Sequence, residues 1–388
     1  MIVPDFKSEL VIPSTTLLSP GLDLMQRLSE IRSATIQLAI EDARLERVQL
    51  SLDTSTLYGN FQINQLQHLR DSLSLKLLPP PIELTAKNLE SEMAYNDLRC
   101  AFLPRYASFS REDKIFWLNN LLFLVTSDVR EFLNLISNRL HDAEVGQRVG
   151  FSLVGTSGMG KSSMLYWVLC NNLAREDETK TRRLQNAAFV ETPSSNRSEK
   201  FLPMALCWSV GSYPSQRWLE GQIISEARRA FAFAHTELLM LDEIVNVRTE
   251  IIRRLFIEIC NQLRNTLIVC SGASTTVWAE GDVEVKGRWG EALHLEKYTG
   301  ARLRALLSFV EILLPFTQPS YLALDQIKIG TKKTDVVDGP AIYIEKWTGG
   351  VLREIMRLII AASKNGIQDE RITMENLQST WKSMHRRE

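Results

Sequence analysis

The 388-residue sequence predicts an α/β fold, a parallel sheet with helices on both faces, from three observations. Short apolar runs recur at 149–154, 187–191, 238–241, 267–270 and 292–295, and segments with helical spacing separate them at 162–173, 214–233 and 248–263. Where the first run meets the first helical segment stands a complete G-x-x-x-x-G-K-S pattern. Apolar runs closed by turn residues suit strands buried on both faces. Their alternation with helices demands crossovers, and so a parallel sheet of five strands.

Residues 1–81 are helix-prone but irregular, with apolar residues at helical spacing over 22–50, and Leu77-Leu78-Pro79-Pro80-Pro81 punctuates their end. They read as an N-terminal helical extension suited to docking a partner. Amphipathic patterns at 115–125 and 129–140 form a helical adaptor packed onto the sheet, and together with the sheet they make a unit over 82–298. Beyond 299 the strand signal fades. Helical spacing at 301–314, 350–363 and 374–384, broken at Pro315, Pro319, Gly339-Pro340 and Gly349-Gly350, predicts a C-terminal helical lid over 299–388. No internal repeat and no long low-complexity segment appears.

Composition narrows the function classes. Hydrophobic residues make up 45% of the chain, enough to bury a sizeable core. Lysines and arginines number 45 against 46 aspartates and glutamates, so a strongly basic DNA-coating protein is excluded. Any contact with nucleic acid must come from a local patch or from repetition in an oligomer. Cys100, Cys170, Cys207, Cys260 and Cys270 are odd in number and lack metal-ligand spacing, which suits small core residues in a reducing compartment. The N-terminus has no basic segment followed by a long apolar run, and no stretch approaches the roughly 20 apolar residues of a membrane span. The expectation is a cytoplasmic protein with no membrane partner. His68, His141, His235, His294 and His385 are dispersed, and neither H-E-x-x-H nor G-x-S-x-G occurs.

The strongest chemical signal is Gly155, Thr156, Ser157, Gly158, Met159, Gly160, Lys161 and Ser162, followed by Ser163, between a strand and a helix. Glycines let successive N–H groups turn inward onto phosphate oxygens, and the helix adds its positive N-terminal end. Lys161 would reach the β- and γ-phosphates of a nucleoside triphosphate and the Ser162 hydroxyl would ligate Mg²⁺. A glycine-rich turn with no ligand is the bland alternative, against which the full match and its flanks weigh. Leu238-Leu-Met-Leu-Asp242-Glu243 supplies the partner, an apolar strand ending in two acids. Asp242 would hold the magnesium and Glu243 would polarise the attacking water.

Other candidates are less specific. Ser271 and Ser274, after the fourth strand, are small polar residues suited to sensing the γ-phosphate, or simply part of a turn. Arg288 suits an arginine given to a neighbouring subunit's nucleotide, or an ordinary solvated one. Arg353 suits a lid residue folding back onto the γ-phosphate, or a salt bridge between helices. Lys180, Arg182, Arg183, Arg197 and Lys200 gather in loops flanking the second strand and are candidate DNA contacts, although such runs are usually just solvated. Trp208, Trp218 and Trp278 suit core or interface anchors better than base-stacking platforms.

The order of parts resembles the AAA+ ATPases, and within them the TniB/TnsC group of transposition regulators, relatives of the MuB ATPase. The residues that carry the resemblance are 154–162, 189–193, 238–244 and 268–272, then Leu306-Leu-Ser-Phe-Val-Glu-Ile-Leu-Leu-Pro315 and Trp347-Thr-Gly-Gly-Val-Leu-Arg353. It spans roughly 98–382. Its nucleotide motifs are common to all AAA+ proteins, so the narrower placement rests on the last two segments.

The resemblance implies an AAA+ fold, ATP and Mg²⁺ as ligands, and a regulator that assembles on double-stranded DNA as a homo-oligomeric ring or filament. It also implies recruitment of a transposase through target selection by a TniQ-type adaptor, with hydrolysis disassembling the complex. Lys161, Ser162, Asp242 and Glu243 would keep their chemical roles, Arg288 matches the inter-subunit arginine and Arg353 the second sensor. Val245 stands where relatives commonly have His, and Ala273 where they have Thr, which leaves Ser274 as a substitute first sensor. The alternatives are a helicase-loading or replication-initiator ATPase and a nucleotide-dependent signalling switch. The one C-terminal helix without a helix-turn-helix weakens the initiator version, and the lack of a repeat domain weakens the switch.

Overall fold

The computed structural model describes residues 82–83, 103, 106–120, 124–144, 150–172, 175–176, 183–192, 200–215, 217–243, 258, 263, 266–273, 292–328 and 336–385. The expected extension over 1–81 and the helix expected at 248–263, apart from residues 258 and 263, lie outside them. In chain order the elements are β1 (Ile82–Glu83), α1 (Arg111–Asn120), β2 (Leu124–Val125), α2 (Ser127–Glu144), β3 (Gly150–Gly155) and α3 (Lys161–Asn171). Next come β4 (Arg175–Glu176), β5 (Arg183–Leu184), β6 (Ala187–Glu191), α4 (Phe201–Ser209), α5 (Glu220–Ala234), β7 (Leu238–Asp242), β8 (Leu267–Gly272) and β9 (Leu293–Leu295). The C-terminal part holds α6 (Gly300–Leu313), β10 (Gln326–Lys328), β11 (Val336–Asp338), α7 (Pro340–Thr348), α8 (Leu352–Asn365) and α9 (Met374–His385).

The five expected strands form one sheet in the order β6-β7-β8-β3-β9, and every pairing in it is parallel. Successive side chains of a strand point to opposite faces, so each strand divides its residues between two cores. Phe151, Leu153, Phe189, Leu238, Met240, Leu267 and Val269 face the side covered by α2 and α3, and that core continues into α6 and α8. Ala188, Val190, Leu239, Leu241, Ile268 and Cys270 face the side covered by α4 and α5. Cys207 and Cys270 are buried. Burial, reinforced by the nearby Glu226 charge, pushes the Cys207 thiol up to about 12.

Three differences from the sequence expectation have physical causes. The helix expected from 214 starts at Glu220, because Leu219 makes the cap: its N–H bonds Gln222 Oε1 at 2.8 Å. Helix α4 is apolar all round, Phe201-Leu-Pro-Met-Ala-Leu-Cys-Trp-Ser, so it is buried and shows no amphipathic period. Gly339-Pro340 opens α7 instead of only breaking the chain, since a proline in a helix's first turn forfeits no intrahelical bond.

The helical segment before the sheet packs against the C-terminal helices. Tyr106 Oη donates to Ile312 O at 2.9 Å and Trp117 Nε1 donates to Leu313 O at 2.7 Å, so α1 is tied to the end of α6. Lys114, buried at the same contact, pairs with Glu370 between α8 and α9. No helix among the described residues is long and apolar enough to cross a membrane.

Candidate functional site

The site is assembled at the carboxyl ends of the central strands. β3 ends at Gly155, the chain turns through Thr156 to Gly160, and α3 begins at Lys161. Gly158 has φ +86° and Gly160 φ +89°, left-handed values that L side chains rarely adopt. The turn delivers the first N–H groups of α3, which have no carbonyl partner within the helix, to the mouth of the sheet. Lys161 is buried, and its ammonium donates to Gly155 O at 2.6 Å and Thr156 O at 3.1 Å.

Asp242 ends β7 on the same side as Leu238 and Met240, which is the side of α3. Asp242 is 3% exposed, and its carboxylate is split between two hydroxyls: Ser162 Oγ donates to Oδ2 at 2.6 Å, and Ser271 Oγ donates to Oδ1. The Glu243 N–H also donates to Oδ1, at 3.0 Å. Glu243 itself has φ +54°, an uncommon conformation for a residue with a side chain, and its side chain lines the cleft.

The lid closes the other wall. Arg353 N donates to Gly158 O at 2.9 Å, so the first turn of α8 is hydrogen-bonded to the loop itself. The cleft between them has a volume of about 420 Å³, in the range of small-molecule sites, ~300–1,000 Å³. Its apolar lining comes from Val129, Met164, Leu352, Met356 and Ile360, and its polar lining from Lys161, Ser162, Glu243 and Arg353. Burial lowers the Lys161 pKa, the Glu243 and Asp242 carboxylates oppose that shift, and Arg353 adds to it. The polar lining therefore holds two cations and the Glu243 carboxylate, with the buried Asp242 reached through Ser162.

An oxygen donor set formed by a serine hydroxyl and a carboxylate already in contact fits a hard cation such as Mg²⁺, which keeps most of its own waters. No cluster of three or more His, Cys, Asp or Glu residues able to hold a metal occurs among the described residues.

Of the residues singled out in the sequence, Ser157, Gly158, Gly160, Lys161, Ser162, Ser163, Glu243 and Arg353 line this cleft and Asp242 touches it through Ser162, while Gly155 and Thr156 lie in the same loop outside the lining and Met159 is buried in the core. Ser271 is fully buried against Asp242. Ser274, Arg288, Lys180, Arg182, Arg197, Val245 and Trp278 lie outside the described residues. Arg183 belongs to β5, a short strand paired with β4, and Lys200 is the half-buried residue that precedes α4. Trp208 is buried in the core beside α5, while Trp218 is exposed. The sequence reading missed Thr126, Val129, Met356 and Arg357 in the cleft wall. The spacing Arg353, Met356/Arg357, Ile360 along one helix face was the available signal for the last two.

No protein-family model matches the chain, and no curated protein matches it. Among solved structures, the chain is similar to the CDC6P protein of Pyrobaculum aerophilum at 16% identity and a TM-score of 0.44, with 65% of each chain covered. The chain thus spans just under two thirds of that protein. It is similar to Drosophila ORC bound to DNA at 14% identity and a TM-score of 0.46, over 82% of this chain and 73% of that one. With the Thermotoga maritima RuvB Holliday junction branch migration motor it shares 16% identity and a TM-score of 0.39, over 66% of this chain and 69% of that one. The chain's own architecture is an α/β fold: a five-stranded parallel sheet flanked by helices, a glycine-rich loop after β3, the fourth strand in the sheet order, and C-terminal helices that bond back to that loop.

Proposed function

We propose that the cleft binds ATP with Mg²⁺ and that the chain hydrolyses it as an AAA+ ATPase. The observation that supports this best is the meeting of Ser162, Asp242 and Glu243 at the phosphate loop, under a lid that brings Arg353 to the same opening. The base fits against the apolar lining residues Val129, Met356 and Ile360. The phosphates fit against the loop and the polar lining residues, where Lys161 exchanges the two loop carbonyls for phosphate oxygens and Arg353 offsets negative charge at the γ-position.

Ser162 and Asp242 would hold the cation, which would supply positive charge to offset that of the phosphates. Ser162 can donate its one proton to Asp242 and keep a lone pair for the metal. Glu243 orients and deprotonates the attacking water. Ser274 as first sensor and Arg288 as an arginine supplied to a neighbouring subunit belong to the same proposal. So does the division into an extension over 1–81, an ATPase unit over 82–298 and a lid over 299–388.

The finer reading is a regulator of DNA transposition that assembles as a homo-oligomer on double-stranded DNA. It would use the basic residues around 180–200 and recruit a transposase together with a TniQ-type adaptor. It rests on the sequence resemblance at 306–315 and 347–353. A near-neutral chain suffices, because an oligomer repeats each phosphate contact along the duplex. Negative-stain imaging with a slowly hydrolysed ATP analogue, with and without duplex DNA, tests it beside Lys161→Ala. Rings or filaments on DNA that need nucleotide and vanish in the variant are expected. Particles that bind nucleotide yet ignore DNA would remove the transposition reading and leave the ATPase.

A further inference from the structure

We propose that Ser271 is a positioning residue that fixes both acids of the site through a single oxygen of Asp242. The inference rests on the reading of the cleft as an MgATP site and adds a residue to it. Strand geometry places Ser271 there. It has the same parity as Leu267 and Val269 on β8, as Asp242 has with Leu238 and Met240 on β7, and the β7–β8 register pairs Leu241 with Cys270. The next pair along is therefore Asp242 beside Ser271, on the face that carries the phosphate loop.

Three donors converge on the Asp242 carboxylate, and they do different things. Ser162 takes Oδ2, on the loop side, at 2.6 Å. Ser271 takes Oδ1 from the β8 side, and the Glu243 N–H shares that oxygen at 3.0 Å. Ser271 is fully buried and is no part of the cleft wall, so it acts on a ligand only through Asp242. By holding Oδ1 it stops the carboxylate from turning about its Cβ–Cγ bond, which leaves Oδ2 aimed at Ser162 and the cation. The same oxygen anchors the N–H of Glu243, whose left-handed backbone at φ +54° is disfavoured without such a bond. One buried hydroxyl thus sets the metal-side acid and the water-side acid together, before any ligand arrives. A buried donor of this kind is stiffer than an exposed side chain at the strand's end, and Ala273, the residue after the strand, is exposed and carries no hydroxyl.

The test uses the full chain with a fluorescent ATP analogue, first in EDTA and then across a Mg²⁺ titration, for wild type, Ser271→Ala and Ser271→Cys. A hydrogen bond to a charged acceptor is worth about tenfold or more in an equilibrium. Ser271→Ala is expected to keep the wild-type affinity in EDTA within about twofold while the Mg²⁺ concentration for half-maximal gain rises about tenfold. Ser271→Cys, which keeps the size and a weak donor, is expected to fall between the two, and it decides the matter alone if the alanine variant does not fold. Mg²⁺ titrations that superimpose on wild type would overturn the assignment. Equal losses in EDTA and in Mg²⁺ would also overturn it, since they mark a purely structural role. Failure of the MgATP reading looks different: wild type itself then shows no Mg²⁺-dependent gain.

Discussion

Gly158 is where the phosphate loop and the lid touch, and Gly158→Ala tests whether that contact shapes the site. At φ +86° a side chain is already strained, and an added Cβ would lie 2.8 Å from Val351 Cγ1 and 3.2 Å from Arg353 Cβ. The left-handed conformation costs an alanine about 1–2 kcal/mol. To relieve the contact with Val351 the loop or α8 must move, which stretches the bond from Arg353 N to Gly158 O, now 2.9 Å, and forfeits about 1 kcal/mol. The sum is about 2–3 kcal/mol, which the free variant sheds by letting the loop relax out of this conformation and which nucleotide binding must then restore, a loss of up to roughly 30- to 150-fold in affinity. Isothermal titration with ATP and Mg²⁺ measures it, and Gly221→Ala is the control. Gly221 lies in the first turn of α5, and a Cβ added there meets nothing within 4 Å. The control should retain affinity and gain slightly in stability, since alanine is the better helix former. Gly158→Ala that binds within about threefold of wild type would refute the reasoning, whatever its thermal stability.

Other parts of the site and fold can be tested in the same way. Glu243→Gln should bind nucleotide as wild type does but slow hydrolysis by about 100-fold or more, read by phosphate release; unchanged turnover would remove Glu243 as the base. Asp128, buried in α2, carries a raised pKa because burial outweighs the Arg302 guanidinium and the Tyr298 hydroxyl that hold it. A raised folded-state pKa contributes stability that is present below 3.8 and is lost as pH rises through the folded value. Measured by urea unfolding, wild type should therefore lose ground to Asp128→Asn as pH rises from below 3.8 towards neutrality, and the opposite slope would mean that the Arg302 pair dominates. Glu311, buried on α6, accepts the backbone N–H groups of Ser320 and Tyr321 at 2.7 Å and of Leu322 at 3.0 Å. Glu311→Ala should lower stability by about 3 kcal/mol or more, because those donors lose their acceptor; a loss under about 1 kcal/mol would show that water replaces it.

The coupling between loop and lid has a second strand. Thr126 and Val129 line the cleft, and Asp128 between them holds Arg302 and Tyr298, at the passage from β9 into α6. Arg302 also lies over the Tyr298 ring at 4.6 Å, and Tyr298 N donates to Gly350 O at 2.8 Å just before α8. The wall of the cleft and the base of the lid are thus joined through one buried cluster, while the direct bond at Gly158 joins them on the phosphate side.

Sequence alone determined the strands and the loop, because both are written locally. Leu238-Leu-Met-Leu-Asp242-Glu243 reads as a buried strand ending in acids, and Gly158, Gly160 and Lys161 sit at fixed spacing between strand and helix. Parity along β7 and β8 already placed Asp242 and Ser271 on one face, given that the two strands are neighbours. That neighbourhood, the order β6-β7-β8-β3-β9, was not in the sequence, and it turned Ser271 from a candidate phosphate sensor into a support for Asp242. Helix α4 was missed because a fully buried helix has no polar face to reveal its period. Arg353 could be placed on a helix but not against Gly158, and Thr126 and Val129 showed no chemical signature at all. Hydrophobic periodicity records which side of an element is buried; which distant element buries it is set by packing of the whole chain, and the cleft exists only where those surfaces meet.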